Sequence, residues 1–245
     1  MRKLMMVVLL VFVGGVTYVH ADTVTLKLVS VSPGYNDGVD YVYPYNFSIN
    51  NSSALTGMMC DDFNDDINFN ESWKATVNNM AAVLAGAGQM NPSGGLLADR
   101  KRAYEDAAWL YMQLLSAAAS DPDYGQYAVD INHTVWALFT ATPFGSNSAN
   151  SGYAAVQTWF AAAQNATSGL TDTTAASLFS NVVFYTPVCD PALLPGTCST
   201  TSPSSTRPQE FIATVPEPNS LMLLGTGLLG LGAIFSRKRQ FMVKG

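Results

Sequence analysis

Cys60 opens the densest chemical stretch of the chain. Asp61, Asp62, Asp65, Asp66 and Glu71 follow it closely, with Asn64, Asn68 and Asn70 between them. Oxygen-rich runs of this kind can hold Ca²⁺, which makes Asp61, Asp62, Asp65 and Asp66 calcium candidates. The EF-hand spacing fails: counted from Asp62, the required Gly falls on Ile67 and the closing Glu falls on Trp73. The expectation is therefore a solvated turn between two strands. In an extended chain Asp62 shares a face with Cys60, and Asp61 with Phe63, which gives the first two acids a partly structural role.

Other reactive types are sparse. Cys189 and Cys198 bracket Asp-Pro-Ala-Leu-Leu-Pro-Gly-Thr, a short, turn-rich loop that suits a disulfide. Cys60 is then the odd thiol, and a bond from Cys60 to one of that pair is the competing arrangement. The only histidines are His20 and His133, too few for a His-based zinc site. A Ser-His-Asp triad would have to use His133, and no G-x-S-x-G elbow is present. Paired-carboxylate hydrolysis needs two facing carboxyls, whereas Glu71, Glu105, Glu210 and Glu217 are scattered. Tyr41, Tyr43, Tyr45 and Phe47 alternate as one stripe. Such a stripe can stack on sugars, but the expectation is a sheet face covered by helices.

Charge narrows the partners. The 245 residues carry a net charge of -6, and only 12% are charged. Basic residues gather at Arg2-Lys3, at Arg100-Lys101-Arg102 and at Arg237-Lys238-Arg239. An acidic, charge-poor chain is a weak partner for phosphate backbones, so no nucleic acid is expected. No cofactor and no metal are expected either. Gly225-Thr226-Gly227-Leu228-Leu229-Gly230 matches G-x-G-x-x-G, but the chain ends too soon after it for the rest of a dinucleotide site.

Both ends read as addresses. Residues 1–21 have a charged start at Arg2 and Lys3, an apolar run from Leu4 to Val16 and small residues around Val19-His20-Ala21. That order is a secretory signal peptide, with an uncleaved anchor as the alternative. At the other end, Val215-Pro216-Glu217-Pro218 precedes an apolar run from Leu221 to Phe235, closed by Ser236-Arg237-Lys238-Arg239. The run can form a transmembrane helix, and the basic cluster of Arg237, Lys238 and Arg239 would stay cytoplasmic. This three-part order resembles the PEP-CTERM sorting tail. The resemblance implies a membrane-embedded exosortase as processing partner, insertion of the tail in the inner membrane, and final delivery to the cell surface or extracellular matrix of a Gram-negative bacterium.

The elements between these ends alternate in type. Strands are expected at 23–31, at 39–49 (one or two), at 55–60 and at 72–77. Helices follow at 103–118 behind an Asp99 cap, at 127–140, at 153–163 behind a Ser151 cap, and at 173–179. Strands return at 181–186 and 210–214. The expected fold class is α+β: a mostly antiparallel, sandwich-like β-sheet with a central group of helices, plus the signal helix and the transmembrane helix. The parts are a signal peptide at 1–21, the domain at 22–198, a Ser/Thr/Pro-rich segment with the final strand at 199–214, and the tail at 215–240.

Met59-Cys60-Asp61-Asp62-Phe63, Ala107-Ala108-Trp109-Leu110 and Asp130-Ile131-Asn132-His133-Thr134-Val135-Trp136 together resemble domains that carry PEP-CTERM tails and, more distantly, thioester domains of surface adhesins. That resemblance pairs Cys60 with Asn132, where the thioester family has a Gln one methylene longer. The expectation is a non-enzymatic envelope or matrix protein with exopolysaccharide as its partner. A covalent adhesin acting through Cys60 and an envelope polysaccharide hydrolase are the alternatives.

Overall fold

The computed structural model describes residues 22–90, 92, 95–97, 99–117, 119–140, 152–188 and 208–215. Among these, six strands form: β1 (Thr23–Ser30), β2 (Tyr45–Ile49), β3 (Leu55–Cys60), β4 (Ser72–Asn79), β5 (Val182–Pro187) and β6 (Phe211–Thr214). They close into an antiparallel barrel in the order β1-β2-β3-β6-β5-β4. Closure comes from β1 meeting β4, with Leu26 opposite Trp73. β6 enters between β3 and β5, setting Cys60 opposite Phe211 and Phe184 opposite Ile212.

Side-chain alternation divides the apolar residues between two cores. Val24, Leu26, Leu28, Phe47, Met58, Cys60, Trp73 and Ala75 fill the barrel with Val183, Tyr185, Phe211 and Ala213. Phe211 is the centre of that core: its ring lies 4.7 Å from Phe47, 5.4 Å from Tyr45 and 6.2 Å from Trp73. The opposite faces of β3, β5 and β6 turn Met59, Val182, Phe184 and Ile212 outward to the helices.

Five helices are present among the described residues: α1 (Met80–Leu84), α2 (Arg100–Ser116), α3 (Tyr124–Phe139), α4 (Tyr153–Thr167) and α5 (Asp172–Leu178). Asp99 caps α2 by accepting from the Lys101 and Arg102 amides, and Thr171 caps α5 through the Thr174 amide. α2, α3 and α4 pack on one another. Tyr104 of α2 fixes this layer to the barrel: its ring meets Phe139 of α3 at 5.1 Å and Phe184 of β5 at 5.0 Å.

The sandwich-like sheet is therefore replaced by a closed barrel with a helical layer on one side. The sandwich expectation treated the early and late strands as a sheet with free edges. The β1–β4 pairing and the insertion of β6 leave no open edge among the described strands to pair with a second sheet. The expected pairing over 39–49 also shortens to Tyr45–Ile49, since Pro44 has no N–H for a ladder. This breaks the aromatic stripe. Tyr45 and Phe47 are buried in the barrel core, Tyr43 packs on Tyr111 at 6.0 Å in the helical layer, and Tyr41 is exposed. α1 was not expected. Among the described residues no helix is long and apolar enough to cross a membrane. The signal helix, the transmembrane helix from Leu221, the Ser151 cap and segment 199–207 lie outside the described residues.

Candidate functional site

Two acidic centres flank the end of β3. The first is sealed. Asp61, Asp62 and Glu210 are buried, and the Asp61 amide donates to the Glu210 carbonyl at 3.4 Å, which sets the two segments side by side. Glu210 Oε1 accepts the Tyr104 hydroxyl at 2.5 Å, and Oε2 accepts the Gln89 amide at 2.8 Å and the Thr186 hydroxyl at 2.5 Å. Tyr104 Oη in turn accepts the Met90 amide at 2.8 Å. Gly88 permits this approach, for a Cβ there would lie 2.3 Å from Tyr104 Oη.

Asp61 differs from its neighbours. Among the described residues, only its own amide can donate to the ionised carboxyl. Protonated, it becomes the donor itself, to Glu210. Burial, then the charges of Glu210 and Asp62, push the Asp61 carboxyl well above the ordinary range. Burial also raises Glu210, against the opposing hydrogen bonds from Thr186, Tyr104 and the Gln89 amide. Both shifts favour a proton held between the two carboxyls.

The turn around this pair is equally occupied. Asp62 Oδ1 accepts the Asn64 amide at 3.0 Å and Oδ2 accepts Gln89 Nε2 at 3.1 Å. Gln209 Nε2 donates to the Asp62 carbonyl at 2.8 Å and also to the Asp65 carbonyl. The expected solvated turn is thus dry at Asp61 and Asp62, while Asp66 is exposed. Among the described residues no group of three or more His, Cys, Asp and Glu is arranged to hold a metal ion; of the calcium candidates, Asp61 and Asp62 are buried, Asp65 is half-buried and Asp66 is exposed.

The fold does bring Cys60 and Asn132 together. Asn132 Nδ2 donates to the Cys60 carbonyl at 2.9 Å, and its Oδ1 accepts the Tyr43 amide at 3.2 Å. The amide is a bracket between β3 and the segment before β2. The Cys60 thiol donates to the Asp62 carbonyl at 3.1 Å. Burial, with the charges of Asp62 and Asp61, pushes this thiol well up, so it is kept from the nucleophilic thiolate form. Cys60 is a free, buried cysteine. Cys189 and Cys198 lie outside the described residues.

The second centre is open. A cavity of about 290 Å³ is walled by Tyr41, Tyr45, Phe63, Phe69 and Trp136, with Asp40 and Asp66 among its lining. Tyr41 and Phe69 stand exposed and edge to face at 6.5 Å. Phe63 meets Trp136 at 5.1 Å, and His133 stacks on Trp136 at 5.5 Å. His133 Nε2 lies 3.0 Å from Asp37 Oδ2. Burial lowers His133, against the pull of Asp37. For Asp37, burial is outweighed by the Asp40 and Val39 amides and by His133, and its carboxyl is lowered. Asp40 is raised by burial and by the charges of Asp37 and Asp66. Among the described residues none that lines the cavity is basic, and neither Asp61 nor Glu210 reaches it. The signal for the site in the sequence was the exposed end of the aromatic stripe; Phe69 carried none.

At the far end of the barrel, Thr214 pairs with Val182, and the Val215 amide donates to the Asn181 carbonyl at 2.9 Å. The tail starts there. Residues 214–239 match the PEP-CTERM protein-sorting motif. The match covers Val215, Pro216, Glu217 and Pro218 together with Arg237, Lys238 and Arg239. The motif supports export, handling by an exosortase-type enzyme and sorting to the cell envelope. No match to this chain appears among curated proteins or solved structures. The middle domain's resemblance to thioester adhesin domains is accordingly without support from any match.

Proposed function

We propose that this chain is an exported, non-catalytic binding protein of the bacterial envelope or matrix, and that its barrel domain takes a saccharide at the Tyr41–Phe69 cavity. The observation that carries this reading is the pairing of open aromatic rings with two carboxylates in one cavity. Aromatic faces pack against the C–H faces of sugar rings, while carboxylates accept hydroxyl hydrogen bonds. The hydrolase alternative lacks a comparable support, because the facing carboxyls Asp61 and Glu210 are sealed from solvent. Export through the tail agrees with a polysaccharide partner outside the cell.

The test has two arms. The mature protein is passed over immobilised exopolysaccharide, with Tyr41→Ala and Phe69→Ala as variants. Retention of the wild type and its loss in both variants is expected; equal retention of all three overturns the reading of the cavity. For the address, cell fractionation with mass mapping of both termini is compared between wild type and a chain with Pro216, Glu217 and Pro218 replaced by Ala. Unchanged processing and location in the replaced chain would sink the sorting role.

A further inference from the structure

We propose that the saccharide held at this cavity carries an amino group, its ammonium seated between Asp40 and Asp66 and its ring face on Tyr41 and Phe69. This rests on the saccharide reading above and adds the chemical class of the sugar. Three observations point to it. The lining holds Asp40 and Asp66 and, among the described residues, no basic side chain, a balance of charge that suits a cation. Burial, then the Asp37 and Asp66 charges, raise Asp40, and a cation beside it would offset them. Asp37 is already engaged elsewhere, by the Val39 and Asp40 amides at 2.9 and 2.8 Å and by His133, which leaves Asp40 and Asp66 to meet the ligand.

An organic cation fits better than a metal ion. The walls are aromatic faces, which attract ammonium groups, whereas Ca²⁺ would need roughly six to eight oxygens. The volume of about 290 Å³ is at the small end of ligand sites, enough for one sugar residue of a chain. The net charge of -6 draws such a polycation toward the protein.

The experiment measures equilibrium binding of the mature protein to oligomers of glucosamine, N-acetylglucosamine and glucose of equal length. It is run with EDTA at a pH where the amine is charged. Glucosamine oligomers should bind at least about tenfold more tightly than the other two, a difference of one decade in Kd. Asp40→Asn combined with Asp66→Asn should erase that preference. Asp66→Asn alone, at an exposed position, should reduce it while leaving the thermal unfolding midpoint unchanged. Equal binding of all three oligomers overturns the amino-group assignment and leaves the saccharide reading standing. Binding of none overturns both. A preference that survives in the double variant, or one that requires added Ca²⁺, overturns the placement of the ammonium at Asp40 and Asp66.

Discussion

The two acidic centres lie on either side of the same turn and are built on opposite plans. Around Glu210 the protein supplies every partner: Tyr104, Thr186 and the Gln89 amide donate, and Asp61 contributes a proton. Around Asp40 and Asp66 it supplies aromatic walls and, among the described residues, no base. Carboxyls whose donors come from the fold are part of the fold. Asp40, half-buried, and Asp66, exposed, stand instead beside open rings.

The sharpest way to break this contrast is Glu210→Ala. It strands the Tyr104 and Thr186 hydroxyls and the Gln89 amide in the interior, and urea unfolding should show a loss of about 3–5 kcal/mol. An unchanged midpoint would show that the sealed centre does not hold the fold together.

Gly88→Ala tests the same centre by sterics. The added methyl drives Tyr104 from Glu210, at a cost of about 1–3 kcal/mol. A similar stability for this variant and the wild type would mean that the hydroxyl is placed elsewhere.

The pH dependence follows from the raised carboxyls. Asp61 and Glu210 bind protons more tightly folded than unfolded. Their favourable contribution is complete below the ordinary carboxylate range of about 4, and it is lost as pH rises toward their folded values. His133 works the other way: its lowered value costs stability as pH falls below about 6.5. Asp61→Asn removes the Asp61 part of the first effect and leaves the second. Its unfolding midpoint should therefore decline less than that of the wild type between pH 4 and pH 8, and parallel curves would refute proton sharing.

The smallest effect belongs to the open centre. Tyr41→Ala and Phe69→Ala should stay within about 0.5 kcal/mol of wild-type stability, as exposed substitutions do. A large loss in either would reclassify that wall as core.

Local signals were readable in the chain where they were strong. The alternation of Val24, Leu26 and Leu28 marked β1, and Asp99 marked the start of α2. Export was legible because its three tail features are contiguous. Closure of the barrel was not, since β1 meets β4 and β6 slips between β3 and β5 by contacts that no local pattern encodes. α1 spans five residues, too few for helical periodicity to show. The burial of Asp61 and Asp62 was half legible: strand alternation gave the first two acids a partly structural role, but Tyr104 and Glu210 are 106 positions apart, and an acidic run without its distant partners reads as a wet turn. At the aromatic stripe, one proline outweighed an otherwise regular alternation.

The position of β6 sets an order of events in folding. Its last residue is bonded to β5, and the next amide is held by Asn181, so almost no slack separates the domain from the sorting motif. β6 is also the last strand of the barrel to be synthesised. Until it arrives, β3 and β5 present bare edges, open to pairing with a neighbouring chain. A cut beyond Val215 leaves all six strands in place, whereas a cut before Phe211 removes the strand that joins β3 to β5.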